Sequence, residues 1–87
     1  MPKVSELPGA LSIHQFHKEH DPPHFHVRKA GQSTRIRIAE LTVLQGATLS
    51  ASDLRDVIVW ATDHQAELAL NWVLARAGMD LRNIPYP

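Results

Sequence analysis

The chain has 87 residues and carries nine basic and nine acidic side chains, so its formal net charge is zero when histidine is neutral. It has no cysteine, which excludes a disulfide framework, thiolate metal ligands and a cysteine nucleophile. Its apolar runs are shorter than the roughly 20 residues that cross a bilayer, and its first residues lack a signal-peptide core, so we expect a cytoplasmic domain without membrane contact.

The charges are distributed unevenly along the chain. Residues 1–38 hold six of the nine lysines and arginines, and residues 39–87 hold six of the nine acidic residues. The basic half suits an anion such as phosphate or nucleic acid. Alternatively, the two halves pack together and neutralise each other.

The first half of the chain alternates between apolar and polar residues, which is typical of half-buried strands. Residues 11–17, 24–28 and 34–38 predict three strands, and residues 41–44 suit a short fourth one. Gly31 lies in a turn signal between the second and third strands and can adopt a positive φ. These segments predict an antiparallel meander over about residues 10–45.

The alternation also predicts which face of this meander is buried. Phe25 and Val27 should point inward, with Ile36 and Ile38 as their neighbours across the strands. The opposite face should then be exposed, because successive side chains alternate. It carries imidazole and guanidinium groups, namely His24, His26, Arg28, Arg35 and Arg37.

The second half of the chain predicts a helix. Ser50 and Asp53 are close to a capping box, and no glycine or proline follows until Gly78. One helix over about residues 51–77 and an extended tail over 79–87 therefore follow the sheet. We predict a single α+β domain over residues 1–87, an antiparallel β-meander of three to four strands packed against one long C-terminal α-helix.

The C-terminal half of this helix is apolar on nearly every side, and such a helix is normally covered on every side. Either the tail folds back over it, or a second subunit or another protein covers it. The residues expected in such an interface are Trp60, Leu70, Val73 and Leu74. His64 is expected at the surface or at its boundary.

Five of the six histidines lie between His14 and His26, and the densest segment is His20-Asp21-Pro22-Pro23-His24-Phe25-His26-Val27. Histidine is the commonest metal ligand, and zinc also accepts carboxylates. The candidate ligands for zinc or another divalent ion are His20, Asp21, His24 and His26, with His17 as a further one. Alternatively, His24 and His26 donate hydrogen bonds to loop carbonyls or to Asp21 and only hold the hairpin.

This segment resembles the signature of a small bacterial family of unknown function, DUF4160. The likeness extends over most of the chain and includes the glycine turn, the isoleucine-rich strand and the helix ending Asn71-Trp72…Ala75-Arg76-Ala77-Gly78. His14 and His17 stand where other residues are expected. Members of the family are often encoded beside another small protein in arrangements that resemble toxin–antitoxin pairs. The resemblance implies a small binding or regulatory protein, as one component of such a pair.

Three functions are compatible with these residues. The first is a binding module for a protein partner and for nucleic acid, whose phosphates Arg28, Arg35 and Arg37 would contact. The second is the metal site. The third is a metal-independent ribonuclease with His24 and His26 as acid and base and an arginine such as Arg28 stabilising the transition state. The sequence does not decide among them.

Overall fold

The computed structural model describes residues 2–46 and 49–87 and has one five-stranded antiparallel sheet followed by two helices. Each strand pairs with its neighbour in the chain, so the order in the sheet is β1-β2-β3-β4-β5. The predicted α+β class is therefore confirmed. The elements are β1 (Lys3–Leu7), β2 (Leu11–His14), β3 (His24–Lys29), β4 (Gln32–Arg37), β5 (Val43–Gln45), α1 (Ala51–Asp63) and α2 (Gln65–Arg76).

The sheet begins earlier than the sequence predicts, and β1 was missed. The register of β1 against β2 shifts between Lys3 and Ser5. As a result Val4 and Ser5 are both buried, although they are adjacent in the chain. A bulge of this kind interrupts the alternation by which a strand is identified in a sequence. The next strand, β2, is also shorter than predicted and ends at His14.

The register between β3 and β4 confirms the predicted buried face. Phe25 lies opposite Ile36, and both side chains are fully buried. Val27 is buried too, as predicted. It lies opposite Thr34, however, whereas the prediction made Ile38 its neighbour across the strands. Ile38 lies beyond the end of β4, where it is also buried.

Two helices replace the predicted single helix over residues 51–77. His64 leaves the helical conformation, with φ −126° and ψ 19°, although no glycine or proline marks the break. The side chain of Gln65 donates hydrogen bonds to the carbonyls of Ile38 and Ala39, at 2.8 and 3.1 Å. These contacts hold the start of α2 against the end of β4, so tertiary contacts stabilise the break.

The sequence predicted a surface or boundary position for His64, whereas the structure buries it, with 9% of the residue exposed. Its ring lies 5.1 Å from the ring of Trp60, and its Nδ1 is hydrogen-bonded to Glu67. Trp60 is only 4% exposed and packs against Phe25 in the core. Trp60 was predicted for a protein interface, and the structure places it inside the domain instead.

The tail folds back over the domain, which is one of the two alternatives that the apolar helix left open. Ile84 is buried, and its N–H donates to the carbonyl of Val4 at 2.7 Å. The tail does not cover the whole helix, since Leu70 and Val73 remain 41% and 62% exposed and Leu74 is half-buried. A protein partner at this surface stays a prediction. In the described part of the chain, no helix combines the length and the apolar character that crossing a bilayer requires.

Candidate metal centre

The connection between β2 and β3, residues 15–23, folds over the polar face of the sheet. Side chains along its length attach it to α2 and to the tail, which fixes its position against the rest of the domain. The contacts are those of Gln15 with Leu68 and Asn71 (both 3.0 Å), His17 with Met79 (2.9 Å) and Asp21 with Arg76 (3.2 Å).

This connection and α2 bury the two imidazoles that were predicted to face solvent. His24 is 3% exposed, and its ring lies 5.2 Å from the ring of Trp72 on α2. The side chain of His26 is 12% exposed and meets the ring of Phe16 edge-on at 4.8 Å. Both histidines do lie on the side of β3 opposite Phe25, as predicted. The error concerns exposure, because alternation within a strand does not show which face a loop will cover.

The connection also brings a carboxylate to the two imidazoles. Glu19 Oε1 is hydrogen-bonded to His26 Nε2 and lies 3.6 Å from His24 Nε2. One ligand atom from each residue lies within 4.8 Å of the other two, so a common point exists within about 2.8 Å of all three, compared with metal–ligand distances of about 2.0–2.2 Å in zinc sites. Small side-chain movements would therefore bring the three atoms to coordination distance.

The contact of His24 with Pro22 indicates which ring nitrogen carries the hydrogen in the neutral imidazole. Its Nδ1 lies 2.8 Å from the carbonyl oxygen of Pro22, which can only accept, so Nδ1 donates a hydrogen. In the neutral ring, Nε2 then carries a lone pair, and this buried atom has no hydrogen-bond partner within residues 2–46 and 49–87. The lone pair and the Glu19 carboxylate are two acceptors facing each other. A metal ion between them would relieve this repulsion.

The sequence pattern of the family described as Domain of unknown function (DUF4160) matches residues 11–73. The chain belongs to this family. The matched region of the DUF4160 protein extends from the start of β2 into α2, and it contains Glu19, His24 and His26. Neither the curated proteins nor the solved structures contain a significant match to the chain.

The structure of this DUF4160 protein brings together a group of candidate ligands that differs from the predicted one. His24 and His26 belong to the group, but His20 and Asp21 are exposed and lie outside it. Asp21 pairs with Arg76, and the ring of His17 is held at the Met79 carbonyl. Sequence analysis missed Glu19 because Asp21 stands closer to His24 in the chain. The signal that could have identified Glu19 is that the connection before the His-x-His strand holds two carboxylates, Glu19 and Asp21.

Two arginines of the DUF4160 protein stand beside this group on β4. Arg35 lies directly opposite His26, and Arg37 lies directly opposite His24. Residues opposite each other in an antiparallel pair have Cβ atoms about 4.5–5.5 Å apart and share a face. Burial lowers the pKa of His26, the Glu19 hydrogen bond acts in the opposite direction, and the positive charge of Arg35 lowers the pKa further.

We expect the metal-free protein to lose stability as the pH falls below about 6.5. Burial lowers the pKa of His14, and the charges of Arg28 on β3 and Lys3 on β1, together with His26, lower it further. Below the ordinary histidine pKa of 6.5, the unfolded chain therefore binds more protons than the native state. The loss begins there and levels off once the pH is below the lowered pKa values of the folded rings.

Urea unfolding at pH 7.5 and 5.5 in the presence of a chelator measures this effect. His14→Gln should reduce the difference in unfolding free energy between the two pH values. His20→Gln removes an exposed imidazole as the control. Equal stability of the wild type at both pH values would contradict the prediction.

Proposed function

We propose that this DUF4160 protein binds a divalent metal ion, with zinc as the reference ion, through Glu19, His24 and His26. The observation that carries the proposal is the buried Nε2 of His24. The Nδ1 of this ring donates to the Pro22 carbonyl, which leaves Nε2 free to bind a metal. This Nε2 lies 3.6 Å from Glu19 Oε1 and has no hydrogen-bond partner among the described residues. Metal-ligating histidines commonly donate their other N–H to a carbonyl in this way, which fixes the ring and its tautomer.

The donor set also suits zinc. Two imidazole nitrogens and one carboxylate oxygen form a set of three protein ligands, and catalytic zinc sites of that composition leave a fourth position for water or substrate. The rings of Phe16 and Trp72 stand against His26 and His24 and restrict the access of water to them. The proposed site is therefore one in which the metal keeps an open coordination position.

Contacts outside the site already hold these ligands in place. Glu19 is carried by a connection that is attached to α2 and the tail through Gln15, His17 and Asp21. His24 and His26 belong to β3, which pairs with β2 and β4 on its two sides. Such a site needs little reordering when it binds an ion, so we expect binding without a change of fold.

The test is equilibrium dialysis of chelator-treated protein against zinc, followed by elemental analysis. We expect about one zinc per chain, and a melting temperature that rises with zinc concentration because the ion binds the native state. The nitrogen chemical shifts of the histidine rings should show that Nε2 of His24 binds the metal while Nδ1 keeps its hydrogen. Protein that remains metal-free after incubation with zinc would overturn the proposal.

The geometry favours this function over a metal-independent ribonuclease. Catalysis by two histidines requires both rings to reach the substrate, whereas His24 is buried beside Trp72 and uses Nδ1 to bind Pro22. The role as one component of a toxin–antitoxin-like pair stays a prediction. For such a partner, Leu70 and Val73 on α2 offer an exposed apolar surface.

A further inference from the structure

We propose that the metal held by Glu19, His24 and His26 and the guanidinium groups of Arg35 and Arg37 together bind one phosphate group of a nucleotide or nucleic-acid strand. This inference rests on the proposed metal site and names the class of ligand that takes its open coordination position. Three features carry it: the register of β4 against β3, the lack of an ion pair at either arginine among the described residues, and the chemistry of the group that would fit.

The register places both arginines beside the ligands. Arg35 pairs with His26, and Arg37 pairs with His24. Each arginine side chain therefore leaves the backbone directly opposite a proposed ligand and on the same face of the sheet. Both arginines are half-buried, so their charges are less screened by water than those of fully exposed side chains.

Neither arginine is paired with a carboxylate within the described part of the domain. Ion pairs engage other basic residues, for example Lys29 with Asp53 at 2.7 Å and Arg76 with Asp21 at 3.2 Å. Over residues 2–46 and 49–87, Arg35 and Arg37 take part in no ion pair. The nearby carboxylate, Glu19, is engaged by the two histidines. A divalent ion would add further positive charge, so this part of the surface attracts anions.

Phosphate is the anion that these groups match. Guanidinium groups bind phosphate oxygens through two parallel hydrogen bonds, and a metal ion binds a further oxygen as a Lewis acid. Arg28 lies on the same face, diagonally across from Arg35, at a Cβ separation of about 7–8 Å for such positions. It extends the positive surface beyond the metal, where the next phosphate of a strand would lie.

The experiment compares adenosine monophosphate with adenosine by isothermal titration of zinc-loaded protein, after free zinc has been removed by dialysis. We expect the monophosphate to bind and adenosine to bind much more weakly. Chelator-treated protein should bind the monophosphate more weakly than zinc-loaded protein does. A single-stranded RNA oligomer is titrated in parallel at several salt concentrations. Tighter binding that weakens steeply with salt would identify a strand as the source of the phosphate, and equal binding would identify a nucleotide.

Variants separate the arginines from the metal. Arg35→Gln and Arg37→Gln should each weaken binding of the monophosphate by about ten- to a hundredfold, the range for hydrogen bonds to a charged group. The zinc content of both variants should equal that of the wild type. Arg35→Lys keeps the charge without the planar fork and should recover part of the affinity. The matched control is Arg55→Gln, which removes an exposed arginine from α1.

The outcomes distinguish the two proposals. Protein that takes up no zinc contradicts the metal site itself. Protein that takes up zinc but binds neither the monophosphate nor the oligomer contradicts only the inference about phosphate. Equal loss of affinity in Arg55→Gln and Arg35→Gln would also overturn it, because the effect would then reflect overall charge and not position.

Discussion

Glu19→Gln and His24→Gln should each lower the affinity for zinc by at least about a hundredfold, because even the loss of an outer-shell partner costs 10–100-fold. In the first variant, a carboxylate oxygen close to both imidazoles is replaced by an amide that binds zinc poorly. In the second, the buried Nε2 that faces this carboxylate is lost. Competition with a chromophoric chelator measures both affinities.

Two matched variants make this result specific. His20→Gln and Asp21→Asn change neighbouring exposed residues of the same connection, and both were candidate ligands from the sequence. In the structure neither belongs to the ligand group, and the amide oxygen of an asparagine at position 21 can still accept the hydrogen bond from Arg76. Zinc affinity should therefore stay within about twofold of the wild type, a difference of less than 1 kcal/mol. Loss of zinc in Asp21→Asn together with its retention in Glu19→Gln would restore the ligand set predicted from the sequence and contradict the structural one.

Folding must be intact for this comparison to hold. His24 lies against Trp72, so His24→Gln changes packing as well as coordination. Glu19→Gln keeps the size and shape of its side chain and is the more conservative test. Circular dichroism of both variants without metal should match the wild type, and the thermal stabilisation by zinc should be lost in both.

Asn71→Ala should lower the free energy of unfolding by about 3 kcal/mol, since each buried polar group left without a partner costs about 1–3 kcal/mol. Asn71 is fully buried. Its Nδ2 donates to Gln15 Oε1 at 3.0 Å and to the Arg82 carbonyl at 2.9 Å, and its Oδ1 accepts from the Arg82 N–H at 2.8 Å. The variant therefore leaves groups on both the tail and the β2–β3 connection without this partner.

Urea unfolding followed by tryptophan fluorescence measures this loss, and the melting temperature should fall by roughly 4–8 °C for each kcal/mol. The matched control is Asn83→Ala, which changes an exposed asparagine of the tail. It should stay within about 0.5 kcal/mol of the wild type, as surface substitutions usually do. If the unfolding free energy of Asn71→Ala also stayed within about 0.5 kcal/mol of the wild type, the stabilising role of these Asn71 hydrogen bonds would be contradicted. Since Gln15 is the first residue of the connection that carries Glu19, zinc affinity should fall in Asn71→Ala as well.

Several features of the fold follow from local pattern alone. The alternation at Phe25 and Val27 correctly predicted the buried side of β3, because a strand repeats every two residues. Ser50 accepts from the N–H of Asp53 at 3.1 Å at the start of α1, as the cap signal predicted. The break at His64 could not be predicted in this way, since the contacts of Gln65 with Ile38 and Ala39 join residues far apart in the chain.

The candidate site likewise has one part that the sequence predicts and another part that it does not. The sequence by itself determined that two imidazoles share one face of a strand and that two arginines of the next strand accompany them, because register and alternation are local and periodic. Only the tertiary structure decided that Glu19 joins these imidazoles and that Trp72 covers one of them. The path of a connecting segment depends on what it packs against, here α2 and the tail, and no periodic signal in the connection itself encodes those contacts.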